Sequence, residues 1–184
     1  NSQNQIVNAL KLECSDVLFA ESSLVVENNV NNGIGDYGAF NKHLHELTIQ
    51  FCKIKYVPSM TFKSLKNLKS LTLQTHNADW STINLELHSE TFNGLSELRR
   101  LNLADNNIWT LPNGIFCPLF TLKYLNLSKN HLNDVSQVGF SLKNAATPSG
   151  GNDNDLFTGS PPSAASTQAS CNSGVEQLDL SYNN

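Results

Sequence analysis

Positive charge is scarce in this chain: 12 lysines and arginines stand against 16 acidic residues in 184, a formal net charge of -4. Nucleic acids and anionic membranes attract proteins mainly through phosphate and surface charge, and that attraction has little to act on here. Long apolar runs are missing as well. No stretch approaches the roughly 20 residues that cross a bilayer, and the opening "NSQNQIVNALKLEC" has neither the basic start nor the apolar core of an export signal. Cysteine is limited to Cys14, Cys52, Cys117 and Cys171, spaced too widely for a zinc finger and without a CxxC pair. Disulfides, and with them an oxidising compartment, are the more natural reading. The chain also lacks a G-x-S-x-G elbow, a phosphate-cradling glycine loop and any paired carboxylates placed by its pattern. Asp105, Asp134 and Glu97 fall on loops or exposed positions, where a solvated carboxylate is the default. The expectation is a non-enzyme with no cofactor.

What the chain does have is an internal repeat. Copies begin at Leu44, Leu68, Leu98, Leu122 and Val175, separated by steps of 24, 30, 24 and 53 residues. The copies follow LxxLxLxxN, extended in mid-chain to LxxLxLxxNxLxxLPxxxFxxLxx, the spacing of a leucine-rich repeat. The last copy, "VEQLDLSYNN", stops within the pattern, so the sequence reads as part of a longer chain.

The spacing predicts the architecture. In LxxLxL, leucines alternate with polar residues, the period-two mark of a strand with one face buried. Stacked copies predict an α/β-type solenoid, a right-handed superhelix with a short parallel sheet on its concave side and a loop-rich convex side. Asn106, Asn130 and Asn183 share position nine, where a buried carboxamide satisfies backbone groups of neighbouring turns in an asparagine ladder. Cys52 and His76 occupy that position in the first two copies. Ile108, Leu111, Phe116 and Leu119 fill the interior, and Phe62, Phe92, Phe116 and Phe140 share a register that predicts a stacked spine. Residues 1–43 match the repeat poorly. "NALKLEC" and "SSLVVEN" alternate like strands before a turn-rich stretch, and the region is expected to cap the open end of repeats spanning 44–184.

Positions two, three, five and seven of each copy face outward on the sheet. Arg99, Arg100, Lys123 and Tyr124 stand there on adjacent turns, a basic and aromatic patch of the kind enriched at hot spots and the first candidate for ligand contact. His43 and His45 form an HxH pair without a third ligand placed by the sequence, so no metal site is expected. The sequon Asn126-Leu127-Ser128 sets a candidate glycosylation site on the outward face.

The 24-residue repeats, the "FCPL" within the third, the "VGFS" of the fourth and the cysteine-ended insertion before "LDLSYNN" resemble the extracellular domain of insect Toll receptors, most of all the long Toll paralogues. The resemblance covers the cap and first repeats of a much longer ectodomain. It implies a single-pass cell-surface receptor, with the chain on the extracellular side of the plasma membrane. Such a receptor binds protein ligands, Spätzle-type cystine-knot cytokines or other cell-surface proteins, and forms dimers that bring intracellular TIR domains together in immune or developmental signalling. The alternative is a leucine-rich adhesion or matrix module.

The 53-residue step is one 24-residue repeat with 29 extra residues, near the length of "ATPSGGNDNDLFTGSPPSAASTQASCNSG" from Ala146. The insertion, at about 141–174, is expected to be a tethered loop with a poorly ordered middle from Asn152 to Ser170. Cys117 follows Phe116, one turn before Phe140, on the side where the insertion leaves. That register predicts a Cys117–Cys171 disulfide, contributing roughly 4 kcal/mol by loop closure. Cys14 then pairs with Cys52, or Cys52 is a buried ladder thiol and Cys14 pairs elsewhere.

Overall fold

The computed structural model describes residues 8–13, 22–23, 43–52, 54–75, 84–134, 138–139 and 174–184. Its principal sheet has six strands, all parallel: β1 (Ala9–Glu13), β3 (Glu46–Gln50), β5 (Ser70–Gln74), β7 (Arg100–Asn102), β8 (Tyr124–Asn126) and β9 (Gln177–Asp179), paired in that order. The cause is the alternation in LxxLxL. Leu47 and Ile49 of β3 and Leu71 and Leu73 of β5 are buried while their neighbours are not. One leucine column crosses the whole sheet, Leu10, Leu47, Leu71, Leu101, Leu125 and Leu178, each aligned with the next.

After each strand the chain must turn sharply. Four of the copies do so with position eight in the left-handed region: Phe51 at φ 58°, Asp105 at 62°, Lys129 at 54° and Tyr182 at 57°. A non-glycine residue there costs about 1–2 kcal/mol, so the turn must be held by its neighbour in the chain, the position-nine residue, an asparagine in the last three copies. In the longer second copy Thr75 takes position eight; its N–H and hydroxyl both donate to Asn106 Oδ1, at 2.7 and 2.9 Å.

The return path has its own motif, F-x-x-L-x-x-L, in 62–68, 92–98 and 116–122. Leu65, Leu95 and Leu119 each donate N–H to the carbonyl of the phenylalanine three residues earlier, and Leu68, Leu98 and Leu122 repeat the bond to those leucines. A three-residue pitch puts the three apolar side chains on one side, and all nine are buried. Phe62, Phe92 and Phe116 stack with centroids 6.4 and 6.0 Å apart and planes within 7° and 17° of parallel. Gly94 makes the second of these turns at φ 94°, where a Cβ would lie 2.9 Å from the Lys63 carbonyl oxygen.

Three features go beyond the sequence reading. Every regular element bounded within the described residues is a strand, and at 62–68, 92–98 and 116–122 turns carry the chain back, because F-x-x-L-x-x-L repeats every three residues rather than every 3.6. β2 (Ser22–Ser23), from the strand-like "SSLVVEN", joins β4 (Ile54–Val57) and β6 (Glu86–Leu87) in a second parallel sheet that the repeat pattern did not predict. And β1, from the region read as poorly matching the repeat, pairs with β3 across five residues. Asn8 to Glu13 thus take positions two to seven of a further turn, and Leu10 packs against the core. Phe140, His76 and most of the insertion, including Asn152 to Ser170, lie outside the described residues.

Candidate ligand-binding face

The outward face of the principal sheet is laid out in columns by one repeated backbone device. The position-two carbonyls of Asn8, His45, Lys69, Arg99 and Lys123 each accept two bonds from the next turn, from the N–H groups of positions two and three, at 2.8–3.0 Å. Position two therefore runs Asn8, His45, Lys69, Arg99, Lys123, Glu176, and position three runs Ala9, Glu46, Ser70, Arg100, Tyr124, Gln177. Neighbouring members of a column rise from strands about 4.8 Å apart.

Arg99, Arg100, Lys123 and Tyr124 fall side by side in these columns: Arg100 aligns with Tyr124, and the Arg99 carbonyl accepts both the Lys123 and Tyr124 N–H groups. The charges differ from a simple basic patch, however. Lys123 Nζ lies 2.7 Å from Glu176 Oε1, both side chains more than half exposed. Such a pair contributes at most about 1 kcal/mol, yet it compensates the Lys123 charge. The basic character extends the other way. A groove of about 400 Å³ joins Arg99 and Arg100 to Lys69, Ser70, His45 and Glu46, closed at its edge by Asn8 and Ala9. The sequence reading set Lys69 and His45 on the outward face but left them out of the ligand-contact patch, although their shared position two with Arg99 was the signal that would have included them.

Position five carries a polar column, Lys11, Thr48, Thr72, Asn102, Asn126 and Asp179. Its last three members brace the turn: Asn102, Asn126 and Asp179 accept the N–H of Ala104, Ser128 and Ser181 at 2.9–3.0 Å. The Ser181 hydroxyl and N–H hold the exposed Asp179 carboxyl below the usual aspartate range, with a small opposing effect of burial. Asn126 is half-buried and its Oδ1 is engaged with Ser128; its Nδ2 is the atom a glycan would take.

Behind the face stand Asn106, Asn130 and Asn183. Asn106 Nδ2 donates to the Leu73 and Leu103 carbonyls at 2.7 and 2.8 Å. Asn130 donates to Leu103, Leu127 and Ser128 and accepts from the N–H of Asn106 and Ile108. Asn183 donates to Leu127 and Leu180 and accepts from Leu132. Each carboxamide thus ties its own turn to the one before it.

His43 and His45 precede β3 instead of lying on it, so strand alternation does not place their rings on one side. Among the described residues no three His, Cys, Asp or Glu side chains are grouped to hold a metal ion, and no helix is long and apolar enough to cross a membrane. Cys52 and Cys117 are each disulfide-bonded, and no described cysteine is free. The reading of Cys52 as a thiol in the ladder is thereby corrected: it fills the buried site as a half-cystine. Cys14 and Cys171 lie outside the described residues. Beyond the strands, Trp109 stacks on His131 with centroids 4.8 Å apart and donates its indole N–H to Asn107 Oδ1 at 3.2 Å.

Stacked parallel strands, an asparagine column and F-x-x-L-x-x-L turns define a leucine-rich-repeat domain. The leucine rich repeat family profile matches residues 81–132. The chain is 34% identical to Toll-like receptor 7 of Drosophila melanogaster over 182 residues, 95% of this chain and 12% of that protein. It is 32% identical to keratocan of Gallus gallus over 76% of this chain and 36% of keratocan. It is 31% identical to Toll-like receptor 3 of Boselaphus tragocamelus over 61% of this chain and 12% of that receptor. The chain spans less than half the length of each of these relatives.

Proposed function

We propose that this chain is the N-terminal ligand-recognition part of a Toll-type receptor ectodomain, with residues 1–43 as a cap and 44–184 as repeats. The observation that carries this reading is the similarity to Toll-like receptor 7 across nearly the whole chain. In this reading the stack is a right-handed superhelix with the principal sheet on its concave side. Its outward columns, centred on Arg99, Arg100, Lys123 and Tyr124, bind a protein ligand such as a Spätzle-type cystine-knot cytokine or another cell-surface protein. The receptor acts by dimerisation in immune or developmental signalling, at the extracellular side of the plasma membrane. Binding of purified Spätzle-type cytokines to the chain tests it. Saturable binding, weakened at least tenfold by Tyr124→Ala/Gln177→Ala, is expected; binding untouched by that change would contradict it.

Cys117 pairs with Cys171 and Cys14 with Cys52 in this proposal, and Asn126 carries a glycan. Peptide mapping of oxidised, secreted chain is expected to yield a Cys117–Cys171 linked peptide and a mass on Asn126 that deglycosylation removes. A different partner for Cys117 would overturn the first, and an unmodified Asn126 the second.

A second reading, an adhesion or matrix module, is supported by the similarity to keratocan, which extends over three quarters of the chain. Self-association of the chain without any cytokine binding would favour it.

A further inference from the structure

The basic residues of the outward face are ordered rather than scattered. Position two of four consecutive turns holds His45, Lys69, Arg99 and Lys123, and Arg100 adds a cation in position three. The sign then reverses at both ends. Glu46 shares the groove with Lys69, Arg99 and Arg100, and Glu176 is paired with Lys123 at 2.7 Å. What remains uncompensated is Lys69 with Arg99 and Arg100, on two adjacent turns whose strands pair about 4.8 Å apart.

Those dimensions discriminate between anions. A uniform polyanion such as a sulfated polysaccharide is drawn to the middle of the stretch but repelled by Glu46, Glu176 and a chain whose net charge is -4. A protein segment of mixed charge with a short acidic centre meets no such repulsion. Side chains on one side of an extended peptide recur about every 6.6–6.8 Å, so a stretch this short matches an acidic centre of only one or two residues. Guanidinium groups hold carboxylates in two-bond forks that an ammonium cannot reproduce.

We propose that this groove receives a short acidic peptide segment of the protein partner, with Arg99 and Arg100 engaging its carboxylates and Lys69 adding charge at the near end. The inference rests on the ligand-recognition reading above and specifies the chemistry of what is recognised. The test is fluorescence anisotropy of the 184-residue chain with a labelled peptide in which glutamate alternates with glycine, against the same peptide with glutamine and against a heparin oligosaccharide. The expected result is tighter binding of the glutamate peptide than of either competitor. That binding weakens as salt rises, drops at least tenfold in Arg99→Ala/Arg100→Ala, and is unchanged in Lys63→Ala/Lys66→Ala, whose positions lie on the exposed return turn. No binding, equal binding of the glutamine peptide, equal loss in the lysine control, or tighter binding of heparin would overturn it. The glutamate-to-glutamine comparison needs no variant, so a misfolded double mutant leaves the test intact. If a cytokine still binds Arg99→Ala/Arg100→Ala but not Tyr124→Ala/Gln177→Ala, the acidic segment is refuted while the receptor reading stands.

Discussion

Asn106 holds two neighbouring turns together through four side-chain hydrogen bonds. Fully buried, its carboxamide accepts from the Thr75 N–H and hydroxyl and donates to two carbonyls. A buried group left without its partner costs about 1–3 kcal/mol. Asn106→Ala is therefore expected to lower stability by about 3–4 kcal/mol in chemical denaturation, and Asn183→Ala, half-buried at the last turn, by about 1 kcal/mol. Equal losses would contradict the account. Asp179 offers a second check at this scale. Its carboxyl is held below the usual range by Ser181, so its contribution is present above the ordinary value of about 3.9 and is lost as pH falls through the lower folded value. By NMR, the Ser181 amide shift should titrate with a midpoint below 3.9 in the native chain. Asp179→Asn should abolish that titration while keeping the turn, since Asn102 and Asn126 brace the same position; a midpoint at or above 3.9 would count against it. The asparagines were legible because a nine-residue frame fixes their place. The left-handed residue before them was not, since Phe51, Asp105, Lys129 and Tyr182 share a backbone angle and no chemistry.

At the scale of elements, the phenylalanine stack joins consecutive return turns as the sheet joins consecutive strands. Phe92 lies between Phe62 and Phe116, so Phe92→Ala opens a cavity against two neighbours. The expected cost is about 3–5 kcal/mol, measured by thermal or chemical unfolding; a loss below about 1 kcal/mol would mean the stack contributes little. The principal strands β3, β5, β7, β8 and β9 were readable from leucine alternation alone. The alternation of "NALKLEC" marked β1 as a strand, but not its place in the repeat frame, because among its described residues only Leu10 and Leu12 of the frame are present, and Leu12 at the sheet edge is substantially exposed. The pairing of the second sheet escaped for a different reason: "SSLVVEN" read as strand-like, but β2 and β6 are two residues each, too short for a period to show what they pair with. Its strands exist because neighbouring turns bring them together, which no local pattern records.

At the scale of the molecule, each turn contacts mainly its neighbours, so side chains at one repeat position form columns across the stack. This is why the repeat pattern sufficed to put Arg99, Arg100, Lys123 and Tyr124 together. It is also why it missed the charge balance: the Lys123–Glu176 pair joins residues 53 apart in sequence, on either side of an insertion. The central claim is that the outward face of the principal sheet is where a protein ligand docks. It is tested most directly by incorporating a photo-crosslinking residue at Thr72, in the middle of that face, and in parallel at Lys66, on the return turn, and irradiating each with a bound Spätzle-type cytokine. Crosslinking from position 72 and not from position 66 is the predicted result. Crosslinking from position 66 alone would contradict the account.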